Sequence, residues 1–258
     1  MNKILKIVDL KKDYYTLQGE ITAIENISLE LEKGKFLSIV GSSGCGKSTL
    51  LNIIAGLDTQ TSGTICYEPN LKIGYMLQDD ALLPWLTVFQ NAILGLKLQN
   101  MDTTSNTEYV KKLLTTYGLE SFINKYPNEL SGGMKQRVAL IRTLATKPDL
   151  LLLDEPFSAL DYQSRLMVSD DVYKIIKNEN KTVIMITHDI AEAISLSDTI
   201  IVLSKRPAII KKIYDINLSS KSTPINNRKC PEFAIYYDKI WRDLDVSIWK
   251  SKNIYKKN

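Results

Sequence analysis

Two stretches of this chain combine glycine with small hydroxyl residues in a pattern that suits phosphate. The first is GSSGCGKST, residues 41–49, which fits G-x-x-x-x-G-K-[ST]. Gly41, Gly44 and Gly46 let the backbone bend, so that its N–H groups, with those of Ser42, Ser43 and Cys45, approach phosphate oxygens. A helix opening here adds roughly half a positive charge at its N-terminus. Lys47 supplies a full charge toward β- and γ-phosphates, and the Ser48 hydroxyl, followed by Thr49, is a natural Mg2+ ligand. A ligand-free glycine turn is the bland alternative, and the strand-like run before it and helical run after it weigh against that reading. The second stretch is Ser131-Gly132-Gly133 in NELSGGMKQR, residues 128–137, again ahead of a helix-like run. One chain thus carries two phosphate cradles.

Only one set of residues suits hydrolysis. LLLLDEP, residues 150–156, reads as a buried strand that delivers Asp154 to a sheet edge as a Mg2+ ligand. Glu155 beside it is placed to polarise an attacking water, a role worth about 10²–10⁴-fold in rate. The alternative is that both acids merely cap the helix expected after Pro156. His188 is the single histidine of the chain and follows the strand-like TVIMIT. A lone histidine is usually a bystander; at such a sheet edge it suits a γ-phosphate contact that holds water and Glu155 in line. Gln78, closing KIGYML, offers a neutral amide to Mg2+ or water. Cys45 lies at a helix N-terminus, where a thiolate is favoured and alkylation should block nucleotide; a small residue that happens to be cysteine explains it equally well.

These residues need elements to hold them. ILKIVDL (4–10) and TAIENISLEL (22–31) alternate as half-buried strands, with Ile24 out of step. KFLSIV, TICY, KIGYML, the leucine run and KTVIMIT read as further strands, and residues 87–147 as largely helical. Continuously apolar strands alternating with helices indicate an α/β fold with a parallel sheet covered on both faces. Residues 217–231 are polar and punctuated by Pro224 and Pro231, which reads as a linker, and a short amphipathic helix is expected over 232–244.

Composition sets the outer limits. The chain has 258 residues, 44% hydrophobic and 24% charged, enough for one large domain with a small addition. A net charge of +4, scattered rather than clustered, gives no reason to expect a nucleic-acid partner. Cys45, Cys66 and Cys230 match neither a disulfide framework nor a zinc site, which favours a reducing compartment. The N-terminus does not read as a signal peptide, and no run approaches the ~18 apolar residues of a spanning helix.

Taken in order, GSSGCGKST, Gln78, LSGGMKQR, LLLLDEP, SALD and THD resemble the ATPase subunits of ABC transporters, from about residue 4 to about residue 215. The resemblance implies a P-loop NTPase core with a mostly parallel sheet, an antiparallel β subdomain and an inserted helical subdomain at about 79–147. The ATPase domain would cover 1–216, and 217–258 would form a linker and short helical tail. ATP and Mg2+ are the implied cofactors. The resemblance also explains the second cradle. In this family the Ser131 hydroxyl and the Gly133 N–H would reach nucleotide held by the partner in a head-to-tail homodimer, and Asp161 of SALD would couple the two sites. Tyr14 resembles the family's adenine-stacking aromatic, with Tyr15 as the other candidate; such stacking is worth ~1–3 kcal/mol.

Spacing narrows the branch. Lys47 and Ser131 lie about 84 positions apart, which leaves no room for long coiled-coil arms, and about 70 residues follow His188, too few for a regulatory domain. QDDALLPWLTVFQNAILGLKL resembles the nitrate, sulfonate and taurine import branch. The tail follows that branch loosely, departing at Ala208 and in residues 217–229. The implied protein is a peripheral subunit on the cytoplasmic face of the membrane. It would power two permease subunits fed by a separate solute-binding protein. An exporter or lipoprotein-release ATPase is the runner-up, and a soluble P-loop ATPase with no membrane partner the third reading. Leu82, Leu83, Trp85 and Leu86 are either core of the helical lobe or a groove for a permease helix.

Overall fold

The computed structural model describes residues 3–17 and 19–252, with side chains through Leu244 in the last helix. In chain order, β1 (Lys3–Thr16), β2 (Gly19–Glu32), β3 (Phe36–Val40), α1 (Lys47–Ile54), β4 (Ser62–Tyr67) and β5 (Ile73–Met76) come first. A helical stretch follows: α2 (Val88–Ala92), α3 (Leu94–Leu98), α4 (Thr104–Thr116) and α5 (Gly132–Ala145). Then come β6 (Leu150–Asp154), α6 (Tyr162–Asn178), β7 (Thr182–Thr187), α7 (Ile190–Leu196), β8 (Thr199–Leu203) and β9 (Ala208–Asp215). The chain closes with α8 (Pro224–Asn227) and α9 (Pro231–Lys252). It divides into two compact units, one of residues 1–68 and 184–258 and the other of 69–183, the second boundary falling inside β7.

In the first unit the strands lie in the order β4-β1-β2-β9-β8-β3-β7. β1 pairs antiparallel with β2 and β4, and β9 antiparallel with β8, while β2/β9 and β3/β8 are parallel. β1 and β2 are longer than their apolar runs because each continues into the polar hairpin around Tyr15 and Glu20. Ile24 falls out of step because the register slips there. Lys12 faces Ile24 but Asp13 faces Thr22, a bulge that resets the alternation and leaves Ile24 fully buried. β3 is buried along its whole length, as a strand leading to an active-site loop in an α/β sheet should be.

The polar stretch 217–231 is fastened to α7 and the residues after it. Lys221 donates to the Ser197 carbonyl at 2.9 Å and to Asp198 at 2.5 Å, and buried Asn227 donates to the Ser195 carbonyl at 2.7 Å. α9 is a 22-residue helix rather than a short one. Its Ile240 is buried in a cluster with Ala193, Ile194, Ile200 and Val202, so the tail packs on the unit that carries the phosphate loop.

In the second unit, β5 and β6 pair in parallel. Leu150 to Leu153 are all fully buried, as are Val138, Leu140 and Leu144 of α5. The stretch after Thr87 breaks into α2 and α3 at Ile93. Thr87 and Gln90 form a reciprocal capping box at the head of α2, which fixes where that helix starts.

Candidate functional site

The phosphate loop leaves the buried end of β3. Gly44 has φ 72° and Gly46 φ 116°, left-handed conformations that favour glycine. A Cβ on Gly46 would lie 3.0 Å from the Ala23 carbonyl oxygen and 3.3 Å from Ala208 Cβ, so a side chain there would crowd its neighbours in an already strained backbone. α1 starts at this glycine with no side-chain cap. Lys47 is buried, and its Nζ donates to the carbonyls of Gly41 at 2.9 Å and Ser42 at 3.1 Å. Ser42, Ser43 and Ser48 are exposed and Thr49 half-buried. An uncapped helix start, a converging ammonium and exposed hydroxyls fit the phosphates of a nucleotide with Mg2+.

Cys45 does not fit the expectation of a reactive thiolate. It is buried, and burial pushes its thiol up despite the nearby charges of Lys47 and Arg206. Its Sγ packs against Gly41, where an added Cβ would come within 2.7 Å of it. Cys45 is packing beneath the loop. Arg206, which the sequence did not single out, donates from Nη2 to the Gly44 carbonyl at 3.0 Å and braces the loop from outside.

Tyr14 stands near the end of β1, held by two residues that no motif marks. Its hydroxyl donates to Asp58 Oδ2 at 2.8 Å, while Lys12 donates to Asp58 Oδ1 at 2.6 Å and to the Thr59 carbonyl at 2.7 Å. The Lys12 ammonium lies 4.7 Å from the Tyr14 ring centroid, and its presence beside Asp58 holds that carboxyl below the usual range. Tyr14 is 38% exposed against 76% for Tyr15. Of the two candidates, Tyr14 is the ring with a fixed orientation.

His188 follows β7 and is exposed. Its neighbour Asp189 caps α7, accepting from the amides of Ala191 at 2.8 Å and Glu192 at 3.1 Å. Buried Thr187 donates to Glu192 Oε2 at 2.8 Å, which locks the turn from strand to helix. His188, Gly41, Ser42 and Ser43 line one cavity, so this unit brings the histidine and the phosphate loop together.

In the second unit Asp154 ends β6 and is buried, with the Tyr75 hydroxyl donating to its Oδ2 at 3.4 Å. Burial raises the Tyr75 phenol, and the charge of Asp154 adds to the effect, so Tyr75 stays a donor. Glu155 is half-buried with φ 44°, a left-handed conformation that costs a non-glycine residue on the order of 1–3 kcal/mol. Residues 155–160 form turns, and the helix that follows is capped by Asp161. Neither acid is therefore needed as its cap. Gln78 is exposed, two residues past the end of β5 at Met76.

The second cradle is built differently. Ser131 caps α5, its Oγ accepting from the Met134 amide at a long 3.4 Å. A Cβ on Gly132 would lie 3.0 Å from Leu160 Cδ2, and one on Gly133 2.7 Å from Val168 Cγ2. Gly133 thus has no room for a side chain against Val168, while Gly132 sits close to the movable end of Leu160. Asp161 accepts from the amides of Gln163 at 3.1 Å and Ser164 at 3.0 Å, and the Ser164 hydroxyl, followed by these amides, lowers its carboxyl. Leu160 brings the SALD segment against the head of α5.

The ALLPWL segment divides by residue. Leu82 is core, Leu83 and Leu86 are half-buried, and Trp85 is 69% exposed. Fully buried Asn91, unmarked by any motif, shapes the segment: its Oδ1 accepts from the Leu83 amide at 2.8 Å. Its Nδ2 donates to the carbonyls of Leu83, Leu86 and Thr87 at 3.1, 3.0 and 3.1 Å. Arg142 holds the preceding turn through the carbonyls of Asp80 and Ala81 at 2.6 and 2.8 Å.

The chain is similar to known proteins over most of its length. Residues 24–158 match the model of the ABC transporter family. The chain is 45% identical over 239 residues to the ABC transporter ATP-binding protein YtlC of Bacillus subtilis, covering 90% of this chain and 92% of that one. It is 42% identical over 247 residues to the nitrate import ATP-binding protein NrtD of Synechocystis, covering 92% and 93%. It is 41% identical over 221 residues to the aliphatic sulfonates import ATP-binding protein SsuB of Bacillus anthracis, covering 83% and 87%. A dimeric ATP-binding cassette in a post-hydrolysis state with ADP and Pi superposes with TM-score 0.71 at 32% identity, covering 83% of this chain and 99% of that one.

Proposed function

Because the chain belongs to the ABC transporter family and is an ATPase using ATP and Mg2+, we propose that it powers the import of a small anion of the nitrate, sulfonate or taurine kind. The ATPase reading is carried by the uncapped start of α1 at Gly46, with Lys47 folded into the loop ahead of it. The solute class is supported by relatives that are named for nitrate and sulfonate import over most of their lengths. Residues 1–216 form the ATPase domain in this reading, with a helical subdomain at about 79–147 and 217–258 as its tail.

Each residue has a proposed part. The amides of residues 41–49 cradle the phosphates, and Lys47 neutralises charge that grows on them during transfer. Ser48, Gln78 and Asp154 hold Mg2+, which when bound offsets phosphate charge. Glu155 accepts a proton from the attacking water, and His188 keeps that water and the terminal phosphate in line. Tyr14 carries the adenine ring, a role that its bond to Asp58 favours. Ser131, with the helix start at Gly132 and Gly133, serves nucleotide on the other copy of a head-to-tail homodimer, and Asp161 couples the two sites. Exposed Trp85 meets a membrane permease, two of which work with a separate solute-binding protein. No helix among the described residues is long and apolar enough to cross a membrane. In this reading the permease subunits hold the chain peripherally on the cytoplasmic face.

The test is the solution mass of Glu155→Gln by light scattering. It should double with Mg-ATP, and adding Ser131→Arg should abolish the doubling. A variant that binds ATP yet keeps the monomer mass would overturn the sandwich. In liposomes carrying the permease chains, the loaded binding protein should stimulate ATPase activity several-fold; no stimulation by it would point to an exporter.

A further inference from the structure

The cavity shared by the phosphate loop and His188 has a third wall, which no nucleotide role explains. It encloses about 460 Å³, within the usual range for small-molecule sites. Ser42 and Ser43 form one side and His188 with Ile190 another, while Trp241 and Leu244 of α9 close it. α9 is anchored: Ile240 is fully buried, Tyr214 donates to the Asp243 carboxylate at 2.5 Å, and Lys211 donates to the Asp243 carbonyl. Trp241 is 51% exposed and stacks on Tyr237 with centroids 6.3 Å apart, so a large apolar face is held ready at the opening.

The charged side chains that line it, among the described residues, have one sign. Lys205 and Lys211 line the cavity, and among the described residues no carboxylate does. The nearby acids are turned to other work, Asp243 to Tyr214 and Asp189 to the head of α7. An aromatic and aliphatic wall with two ammonium groups suits an amphipathic organic anion, and a small inorganic anion would leave the apolar wall wet.

We propose that this cavity binds an organic anion with an aryl or medium-chain alkyl body and a single sulfonate or carboxylate head. Its occupancy lowers ATP turnover, because the ligand packs against Ser42, Ser43 and His188 at once and restrains both parts of the hydrolytic machinery. This coupling rests on the assigned roles of the loop and His188; the binding does not.

The probe is 8-anilinonaphthalene-1-sulfonate, titrated by fluorescence into the full chain with ADP saturating. One probe should bind per chain. Trp241→Ser should weaken binding about tenfold, and so should Lys205→Gln with Lys211→Gln. Neutral N-phenyl-1-naphthylamine should bind the lysine double variant as well as it binds the parent chain. Since Lys211 also braces α9, Lys205→Gln alone should weaken the sulfonate probe several-fold. Equal binding of the sulfonate to all these variants, or its loss in Trp85→Ala instead, would sink the assignment. Saturating probe should also cut ATP turnover at saturating ATP at least twofold. Turnover that stays unchanged with the probe bound would overturn the coupling and leave the site standing.

Discussion

The two glycine-containing helix starts of this molecule solve opposite problems. At α1 the chain withholds a cap: Gly46 contributes no side chain, and its φ of 116° turns the backbone into the helix. At α5 the chain supplies one, since Ser131 bonds the Met134 amide, and the two glycines after it let Leu160 and Val168 press close. In the proposed reading, the first start is left open for a ligand held by its own chain. The second is packed and self-satisfied, yet the bond its Ser131 hydroxyl accepts from the Met134 amide is long, at 3.4 Å, so little is lost when that hydroxyl turns away to donate elsewhere. The same residue types therefore mean different things according to which side chain stands at the cap.

The sharpest way to break the comparison is Gly46→Ala. A methyl group there meets the Ala23 carbonyl in a left-handed backbone, so Mg-ATP affinity, read by a fluorescent-nucleotide titration, should fall more than a hundredfold. Next is Gly133→Ala, whose methyl group meets the branched Val168 side chain at 2.7 Å. Overpacking of this kind costs about 1–3 kcal/mol in urea unfolding. Gly132→Ala should cost less, because Leu160 Cδ2 is the end of a flexible side chain. If Gly132→Ala proves the more damaging, the packing account of the second cradle is wrong. Ser131→Ala should cost only about 0.5–1 kcal/mol, the low end of cap removal, while reducing ATP-driven dimerisation in the Glu155→Gln background. The smallest effect concerns Cys45: with its thiol raised by burial, iodoacetamide at neutral pH should modify exposed Cys66 first, as read by peptide mass mapping. Prior labelling of Cys45 would contradict the packed geometry.

What could be read from the residues depended on how local the cause was. The phosphate loop, the leucine strand and the order of the motifs were legible because each rests on a short run of residue types. The register slip at Ile24 appeared in the sequence as a break in alternation, and only its cause needed the paired strand. Lys12 and Asp58, which orient Tyr14, lie 46 positions apart and carry no pattern. Asn91 and Arg142 were equally hidden, since a buried amide or a half-buried guanidinium bonded to backbone leaves no periodic trace. The stretch 217–231 reads as a linker by composition, because its attachment runs through polar side chains such as Lys221 and Asn227 rather than an apolar face.

Asn91 has a consequence for how such a subunit is re-addressed. It holds the preceding segment almost wholly through main-chain atoms, so the path of the chain leans little on which side chains exposed Pro84 and Trp85 present. Those two positions behave as a cassette within a frame. Their identities are free to drift or be exchanged as the surface they face changes, while the frame and the ATP machinery stay as they are.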